Sequence, residues 1–258
     1  MRSRIAAAMA SMMALAVAAS CGAAAPSPAI STAISTAAAP VPTAAAPVPT
    51  QGAAPRPTSV IDGPPTTALF AGSISVLPAD LRARMTGHSW RPGCPVGLND
   101  LRLVVVPYRD PNGVPRRGPL GVNASVAADV LQVFVQLDAA HFPIARIQLI
   151  DDFGADDDAS MAANNTSAFN CRVVTGTTTW SQHSYGTAID INTVWNPWIH
   201  NGRIDPPNGA PYADRTLQQP GMIHDGDVVV RSFAAIGWEW GGNAQTVKDY
   251  QHFSTNGK

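Results

Sequence analysis

The sequence has few charged residues, and this scarcity excludes one broad class of partner. Only 14% of the 258 residues are Asp, Glu, Lys or Arg, and the formal net charge is -1. Binding to nucleic acid or to an anionic membrane surface needs a concentrated positive field, because Lys and Arg must neutralise the phosphates. The composition therefore predicts that the chain does not bind nucleic acid.

A long apolar run near the N-terminus is also missing. The apolar stretch at residues 5–19 follows Arg2 and Arg4. It has about 15 residues, whereas a membrane-spanning helix needs roughly 20. The positive residues, the apolar stretch and the small residues before Cys21 instead resemble a bacterial export signal with a lipoprotein processing site. We predict that residues 1–21 are a signal segment and that Cys21 is lipidated, which would be the chain's only contact with the membrane. The alternative is ordinary signal-peptidase cleavage after an alanine.

Cysteine is equally scarce. Apart from Cys21 there are two, Cys94 and Cys171. An exported protein meets an oxidising compartment, in which an even number of cysteines favours disulfide formation. We predict a disulfide between Cys94 and Cys171, which would close a loop of about 77 residues. The alternative is two free, buried thiols.

Large side chains are rare between the signal segment and the rest of the chain. Residues 22–67 are dominated by Ala, Pro, Ser and Thr, and Ala-Ala-Ala-Pro-Val-Pro-Thr occurs twice, from Ala37 and from Ala44. Such a stretch buries too little apolar surface to offset the entropy lost on ordering. We predict a disordered linker at residues 22–67 and a folded domain at residues 68–258.

The sequence does contain two separated groups of metal-binding side chains. The run Ser-Gln-His-Ser-Tyr-Gly-Thr-Ala-Ile-Asp includes His183 and ends at Asp190, and Asp249-Tyr-Gln-His252 lies near the C-terminus. Zinc accepts imidazole nitrogen and carboxylate oxygen, and catalytic zinc sites use three protein ligands and leave one position for water. We predict that His183, Asp190 and His252 bind one zinc ion. Asp249 would then be the general base. The alternative is that these are ordinary polar residues and that Asp190 caps a turn.

The pattern around these groups also predicts local structure. Thr187 to Ile191 is a short run rich in β-branched residues, which favours a strand with Ile189 and Ile191 packed into the core. In one regular strand, however, Asp249 and His252 would face opposite sides. A bend between Asp249 and His252 is therefore required.

The two motifs resemble those of the zinc D-alanyl-D-alanine carboxypeptidases and L-alanyl-D-glutamate endopeptidases, which trim bacterial peptidoglycan. The resemblance extends over roughly the last 115 residues, in four segments that follow the family's order. These segments are Phe169-Asn-Cys-Arg172, Ser181-x-His-x-x-Gly-x-Ala-x-Asp190, residues 233–242 and Asp249-x-x-His-Phe253. The resemblance implies the same zinc ligands and the same base as above. It further implies that Arg172 steadies the tetrahedral intermediate, and the alternative for Arg172 is a plain salt bridge.

The resemblance implies the function and the fold as well. We expect hydrolysis of peptide bonds in peptidoglycan stem peptides by a monomer located in the cell envelope. Carboxypeptidase members usually carry glutamate where this chain has Asp249, and aspartate is more typical of the endopeptidase branch, so both cleavage sites remain open. The expected fold is α+β, similar to the hedgehog and D,D-peptidase fold, with a small antiparallel sheet that carries the ligands and helices packed on one face. A non-catalytic zinc-containing wall-binding or signalling module is the alternative, because the same scaffold hosts the hedgehog signalling domain.

Hydrophobic periodicity predicts further elements. Residues 101–108 and 144–150 are apolar and β-branched, which is typical of strands. The predicted helices begin at Asn123 and at Asp225 as N-caps. The apolar positions of the first helix are Val126, Val130, Phe134, Leu137 and His141, and it stops at Pro143. The acidic residues 151–158 lack the glycine and the distal glutamate of a calcium loop, which favours a solvated loop near the site.

Overall fold

The structure is a computed structural model that describes residues 72–257. The predicted signal segment, Cys21 and the predicted linker lie outside the described residues. In chain order the elements are β1 Ser73–Val76, α1 Ala79–Met85, β2 Leu101–Arg109, β3 Pro115–Asn123, α2 Ala127–Ala139, a 3-10 helix Ile150–Phe153, α3 Asp157–Ala162, a 3-10 helix Gln182–Tyr185, β4 Ala188–Asp190, β5 Trp198–His200, β6 Arg203–Asp205, a 3-10 helix Pro207–Tyr212, α4 Val228–Ala235, β7 Glu239–Trp240, a 3-10 helix Gly241–Asn243, β8 Lys248–Asp249 and β9 His252–Ser254. Across residues 72–257, no helix combines the length and the apolar character that crossing a membrane requires.

The strands form small antiparallel sheets, and the helices alternate with the strands along the chain. The strand orders are β1-β2-β3, β4-β9-β7 and β6-β5-β8. In the second sheet Asp190 of β4 is paired with His252 of β9. Helix α4 packs on this sheet, because the Phe233 ring stacks on the Phe253 ring with 4.3 Å between centroids. The predicted α+β class is confirmed.

The main core lies between α2, α4 and the sheets, and it extends beneath the sheet that carries Asp190 and His252. Helix α2 packs into this core through one apolar face, on which residues recur every three or four positions. The buried residues of this face are Ala127, Val130, Val133, Phe134 and Leu137. The side chains of Ile189, Ile191 and Phe253 are fully buried in the same core. Each large apolar side chain buried in this way contributes about 1.5–3 kcal/mol. The burial of these side chains therefore fixes β4 and β9, the strands that carry Asp190 and His252.

The predicted start and end of helix α2 are wrong by several residues. Asn123 is not its N-cap, because the Asn123 Oδ1 accepts from the backbone N–H of Ser125 at 3.0 Å and forms a turn before the helix. The residue that precedes the first turn is Val126, and the helix ends at Ala139. His141 has a φ of 57° and lies beyond that end, so it is not part of the apolar face.

The cap of helix α4 is also displaced from its predicted position. Asp227, not Asp225, is the N-cap, and its carboxylate accepts from the N–H groups of Val229 and Val230. The helix ends at Ala235, just before Gly237, which has a φ of 78°. Either aspartate side chain could cap a helix. The helix begins at Val228, so the Asp227 carboxylate is the one that reaches its free N–H groups.

The prediction of a strand at residues 144–150 is wrong. This segment has isolated bridges, such as the one between Ile147 and Thr166, in place of a ladder. Two of its N–H groups are satisfied by distant side-chain amides instead: Ala145 donates to Asn192 Oδ1 at 2.9 Å, and Gln148 donates to Asn165 Oδ1 at 3.0 Å. Buried backbone groups need partners, and here amide side chains replace a neighbouring strand.

The acidic residues 151–158 are more ordered than the predicted loop. They include the end of a 3-10 helix and the start of α3. Asp156 is the N-cap of α3, because its carboxylate accepts from the N–H of Ala159 at 3.0 Å. The carboxylates in this segment therefore stabilise a helix start, where a partial positive charge favours them.

The predicted disulfide between Cys94 and Cys171 is present, with a Cα–Cα distance of 6.0 Å. Cys171 is buried in a second, smaller core cluster that also contains Leu101 and Phe169. The bond therefore attaches the loop around Cys94 to the segment that precedes Arg172.

We predict that breaking this disulfide strongly destabilises the protein. The closed loop spans 77 residues, and the chain-entropy model gives about 4 kcal/mol for a loop of that size. Cys94→Ala is the variant of choice, since Cys94 is only half-buried and its truncation leaves little cavity. Chemical denaturation should show a loss of free energy of unfolding of this order. A loss below about 1 kcal/mol would mean that the bond contributes little.

Candidate metal centre

Three side chains from separate parts of the chain meet at one point. His183, Asp190 and His252 each offer one ligand atom, and these atoms lie within 4.8 Å of one another. Asp190 Oδ2 is 3.2 Å from His183 Nε2, and Asp190 Oδ1 is 2.9 Å from His252 Nδ1. The two imidazole nitrogens are 3.3 Å apart. All three residues are buried. The structure thus brings together the three residues that the sequence predicted as ligands, and they could hold a metal ion.

The local fold explains how His183 reaches this point. It lies in the short 3-10 helix Gln182–Tyr185, whose start is capped by Ser181, since the Ser181 Oγ accepts from the His183 N–H. Gly186 ends the helix with a φ of 70°, and a Cβ there would lie 2.6 Å from the backbone nitrogen of Asn123. A side chain at Gly186 would therefore be strained and would also clash with β3.

A backbone carbonyl fixes the proton on His183. The Nδ1 of His183 lies 2.5 Å from the carbonyl oxygen of Ala168. A carbonyl only accepts, so Nδ1 carries a proton, and when the ring is neutral Nε2 directs its lone pair at the carboxylate of Asp190. Metal-binding histidines are commonly held in this way. Two acceptor atoms that face each other repel unless a cation lies between them. The donor set therefore fits a metal ion.

The segment that contains Ala168 also holds the backbone of Asp190. Ser167 and Asp190 exchange two hydrogen bonds, of 3.1 Å and 2.9 Å, between their backbone groups. Further along, the Asn170 N–H donates to the His183 carbonyl at 3.2 Å. One stretch of chain, anchored by the disulfide, thus orients two of the three candidate ligands.

The electrostatic environment keeps Asp190 ionised. Burial acts to raise the pKa of Asp190, but the charges and hydrogen bonds of His183 and His252 outweigh it and hold the pKa far below its usual range. Asp190 is therefore an anion at any physiological pH, as a metal ligand must be.

The predicted base, Asp249, lies beside these three residues but on a different sheet. It belongs to β8, where it pairs with Trp198, whereas His252 begins β9 of the ligand sheet. Tyr250 and Gln251 form the link between the two strands. The change of sheet is the bend that the sequence required between Asp249 and His252.

Asp249 has the electrostatic character of a weak base. Burial, and next the negative charge of Asp190, raise its pKa to about 6, against the opposing charges of His252 and His183. Its Oδ1 is inaccessible to solvent and has no hydrogen-bond partner among residues 72–257. An unused carboxylate oxygen next to a metal-binding group is suited to accept a proton.

Arg172 is tied to the site through its backbone rather than through its guanidinium. Its N–H donates to the Ser184 Oγ at 2.9 Å, and that hydroxyl donates to its carbonyl at 2.7 Å. The Arg172 Nη2 instead forms an ion pair of 2.7 Å with Asp157 of α3. Its Nε is buried and has no hydrogen-bond partner within the described part of the chain. The predicted role of Arg172 toward a substrate stays a prediction.

The sequence did not identify Gly241 as part of the site. A Cβ on Gly241 would lie 2.7 Å from the Asp249 carbonyl oxygen, 2.8 Å from the Asp249 Cβ and 3.4 Å from the His252 Cβ. Only glycine allows Asp249 and His252 to approach this turn. The Gly-Gly pair at residues 241–242 was a visible signal, but its meaning depends on the fold.

Comparison with known proteins identifies one family that the C-terminal part of the chain resembles. Residues 175–255 match the family model described as D-alanyl-D-alanine carboxypeptidase. Searches of curated proteins and of solved structures found no match. The matched segment contains His183, Asp190, Asp249 and His252, whereas Arg172 lies just before it. The resemblance predicted from the two motifs is confirmed: residues 175–255 are similar in sequence to the D-alanyl-D-alanine carboxypeptidase family.

Proposed function

We propose that the protein is a zinc-dependent peptidase that hydrolyses peptide bonds in peptidoglycan stem peptides. The observation that carries this proposal is a buried cluster of three ligand side chains with the unused carboxylate oxygen of Asp249 beside it. The family match over residues 175–255 supports a peptidase that acts on peptidoglycan.

We assign one zinc ion to His183, Asp190 and His252. Two imidazoles and one carboxylate suit zinc, and the proton held on His183 Nδ1 by Ala168 leaves Nε2 free to coordinate. When bound in such a site, zinc activates a water molecule and polarises a carbonyl group. Because the chain would supply three ligands, His183, Asp190 and His252, a fourth position would remain for that water.

Asp249 and Arg172 are the residues that we assign to the remaining steps of hydrolysis. Asp249 holds the attacking water, takes a proton from it and passes that proton to the leaving amine. In the metal-free protein burial raises the pKa of Asp249 to about 6, so the carboxylate is ionised at neutral pH and still basic. Asp157 holds the Nη2 of Arg172 and the Nε of Arg172 is buried, so Nη1 is the donor that Arg172 would offer to a substrate oxygen.

A tight contact at Gly241 offers a test of this arrangement. Gly241→Ala is expected to lower kcat/KM by about tenfold to a hundredfold, because the added methyl group pushes Asp249 and His252 out of position. Gly121→Ala is the matched control, since its Cβ would meet only Phe169, at 3.5 Å. Equal activity of the two variants would show that the contact is not critical.

The proposed substrate requires a location in the cell envelope. We propose that residues 1–21 direct export, that lipidation of Cys21 anchors the chain, and that residues 22–67 form a flexible tether for a monomeric enzyme. Treatment of cells that express the protein with a lipoprotein-processing inhibitor, followed by fractionation, tests the anchor.

The substrate and the cleavage site can be tested together. The full chain, loaded with zinc, is incubated with purified peptidoglycan fragments, and the products are identified by mass spectrometry against a chelator control. Chelator-sensitive loss of a terminal D-alanine establishes a carboxypeptidase, and release of the stem at its L-alanine establishes an endopeptidase. If no fragment is cleaved while zinc is bound, the proposal is wrong and the non-catalytic module is favoured.

A further inference from the structure

We infer that Arg215 is a positioning residue, whose guanidinium holds Tyr250 so that Asp249 and His252 face the same centre. The inference rests on the proposed function, because it concerns the placing of the proposed base and a proposed zinc ligand. Neither the sequence motifs nor the matched family description singles out Arg215.

Tyr250 occupies the critical link between the two strands. Asp249 ends β8 and His252 begins β9, so the conformation of Tyr250 and Gln251 decides whether both side chains reach one point. Two residues therefore set the geometry of both the base and a ligand.

Tyr250 is held by Arg215 and by Trp240. The guanidinium carbon of Arg215 lies 4.4 Å from the centroid of the Tyr250 ring. The Trp240 ring lies 5.9 Å from the Tyr250 ring, centroid to centroid, and its Nε1 donates to the Tyr250 carbonyl at 2.9 Å. A guanidinium stacked on an aromatic ring is attracted to the ring face, and burial strengthens this attraction.

Arg215 is itself rigidly fixed. Its Nη1 donates to the carbonyls of Trp195 and Tyr212, at 2.9 Å and 3.1 Å. Its Nη2 donates to the Ile223 carbonyl at 2.6 Å and to the Asn196 Oδ1 at 3.2 Å. No carboxylate within residues 72–257 forms an ion pair with it, in contrast to Arg172. Neutral acceptors fix the plane of the guanidinium and thus the face that it presents to Tyr250.

The same residue connects this link to the strand that carries Asp190. Asn196, which accepts from Arg215, donates from its Nδ2 to the carbonyls of Ile191 and Asn192 at 3.1 Å and 3.3 Å. Those two residues directly follow Asp190. Arg215 thus joins the chain after one ligand to the chain before another.

Zinc affinity and catalysis are measured separately in four variants: Arg215→Lys, Arg215→Ala, Tyr250→Phe and Tyr250→Leu. Affinity is measured by competition between the metal-free protein and a chromophoric chelator, and kcat and KM are measured on stem peptides. Arg215→Lys keeps the charge but loses the planar fork, whereas Tyr250→Phe keeps the ring. Arg109→Ala is the matched control, because Arg109 pairs with Asp138 at 2.9 Å, between β2 and α2, and contacts no residue of the site.

Arg215→Lys, Arg215→Ala and Tyr250→Leu are expected to weaken zinc binding and to lower kcat by about tenfold or more, with little change in KM. Tyr250→Phe is expected to match the wild type in both, and Arg109→Ala should lose thermal stability alone. If the folded Arg215→Lys variant keeps wild-type zinc affinity and kcat, Arg215 is merely structural and the inference is wrong. Because zinc affinity is measured without substrate, an inactive wild-type protein would refute the proposed function and leave this inference testable.

Discussion

Asp249→Asn is expected to lower kcat by about 10²–10⁴-fold while the protein still binds one zinc ion. The amide has nearly the shape of the carboxylate, but it cannot accept a proton from water. Because Asp249 is not among the three ligand side chains, all three ligands remain when its charge is removed. Steady-state kinetics on stem peptides, combined with metal analysis of the same sample, measure both quantities. Retained hydrolysis in this variant would show that another group is the base.

The same substitution should stabilise the metal-free protein at neutral pH. The folded-state pKa of Asp249 is raised to about 6 from an ordinary 3.8. The stability that the protonated carboxyl contributes is therefore complete below pH 3.8 and is lost as the pH rises through 6. A permanently neutral asparagine avoids that loss, so well above pH 6 the variant should unfold with a free energy about 3 kcal/mol higher. Denaturation at pH 4 and at pH 8 tests the sign, since the difference between the two proteins should nearly vanish at the lower pH.

Asp190→Asn is expected to weaken zinc binding by about a hundredfold or more, so that at a zinc concentration that just saturates the wild-type protein hydrolysis falls close to the level of the chelated protein. Asp190 supplies the only negative charge among the three ligands, and its two oxygens contact both imidazoles. Each ligand contributes several kcal/mol to a zinc site, so the loss of one should weaken binding by about a hundredfold or more.

Thermal unfolding with and without added zinc provides a direct readout of this loss. Zinc at about 100 times its dissociation constant should stabilise the wild-type protein by about 2.7 kcal/mol. The Asp190→Asn protein should show no such increase. Asp138→Asn serves as the control, because Asp138 pairs with Arg109 away from the site and should leave the zinc response unchanged. A normal zinc response in the Asp190→Asn protein would contradict the assigned ligand set.

The parts of the site that could be predicted from the sequence are those in which chemistry and position are local. His183 and Asp190 are seven residues apart around a glycine, and Asp249 and His252 are three apart. Residue type and spacing alone therefore suggested a metal site before any fold was known. The disulfide followed from the number of cysteines outside the predicted export signal.

The parts that could not be predicted depend on contacts between distant segments. Residues 144–150 have the composition of a strand, but the amides of Asn165 and Asn192 satisfy their backbone groups instead. The ion pair of Arg172 with Asp157 and the stacking of Arg215 on Tyr250 likewise join segments with no shared pattern. The periodicity of hydrophobic residues predicts which face of a helix or strand is buried. It does not predict which distant side chain contacts that face.

We propose that one zinc ion, held by His183, Asp190 and His252, makes this protein a peptidase. The most direct test is to titrate zinc into the metal-free full chain and to measure bound metal and the rate of stem-peptide hydrolysis in the same samples. We expect the rate to rise in proportion to bound zinc and to level off at one equivalent. Full occupancy by zinc without hydrolysis of any stem peptide, or undiminished hydrolysis by the metal-free protein, would contradict the claim.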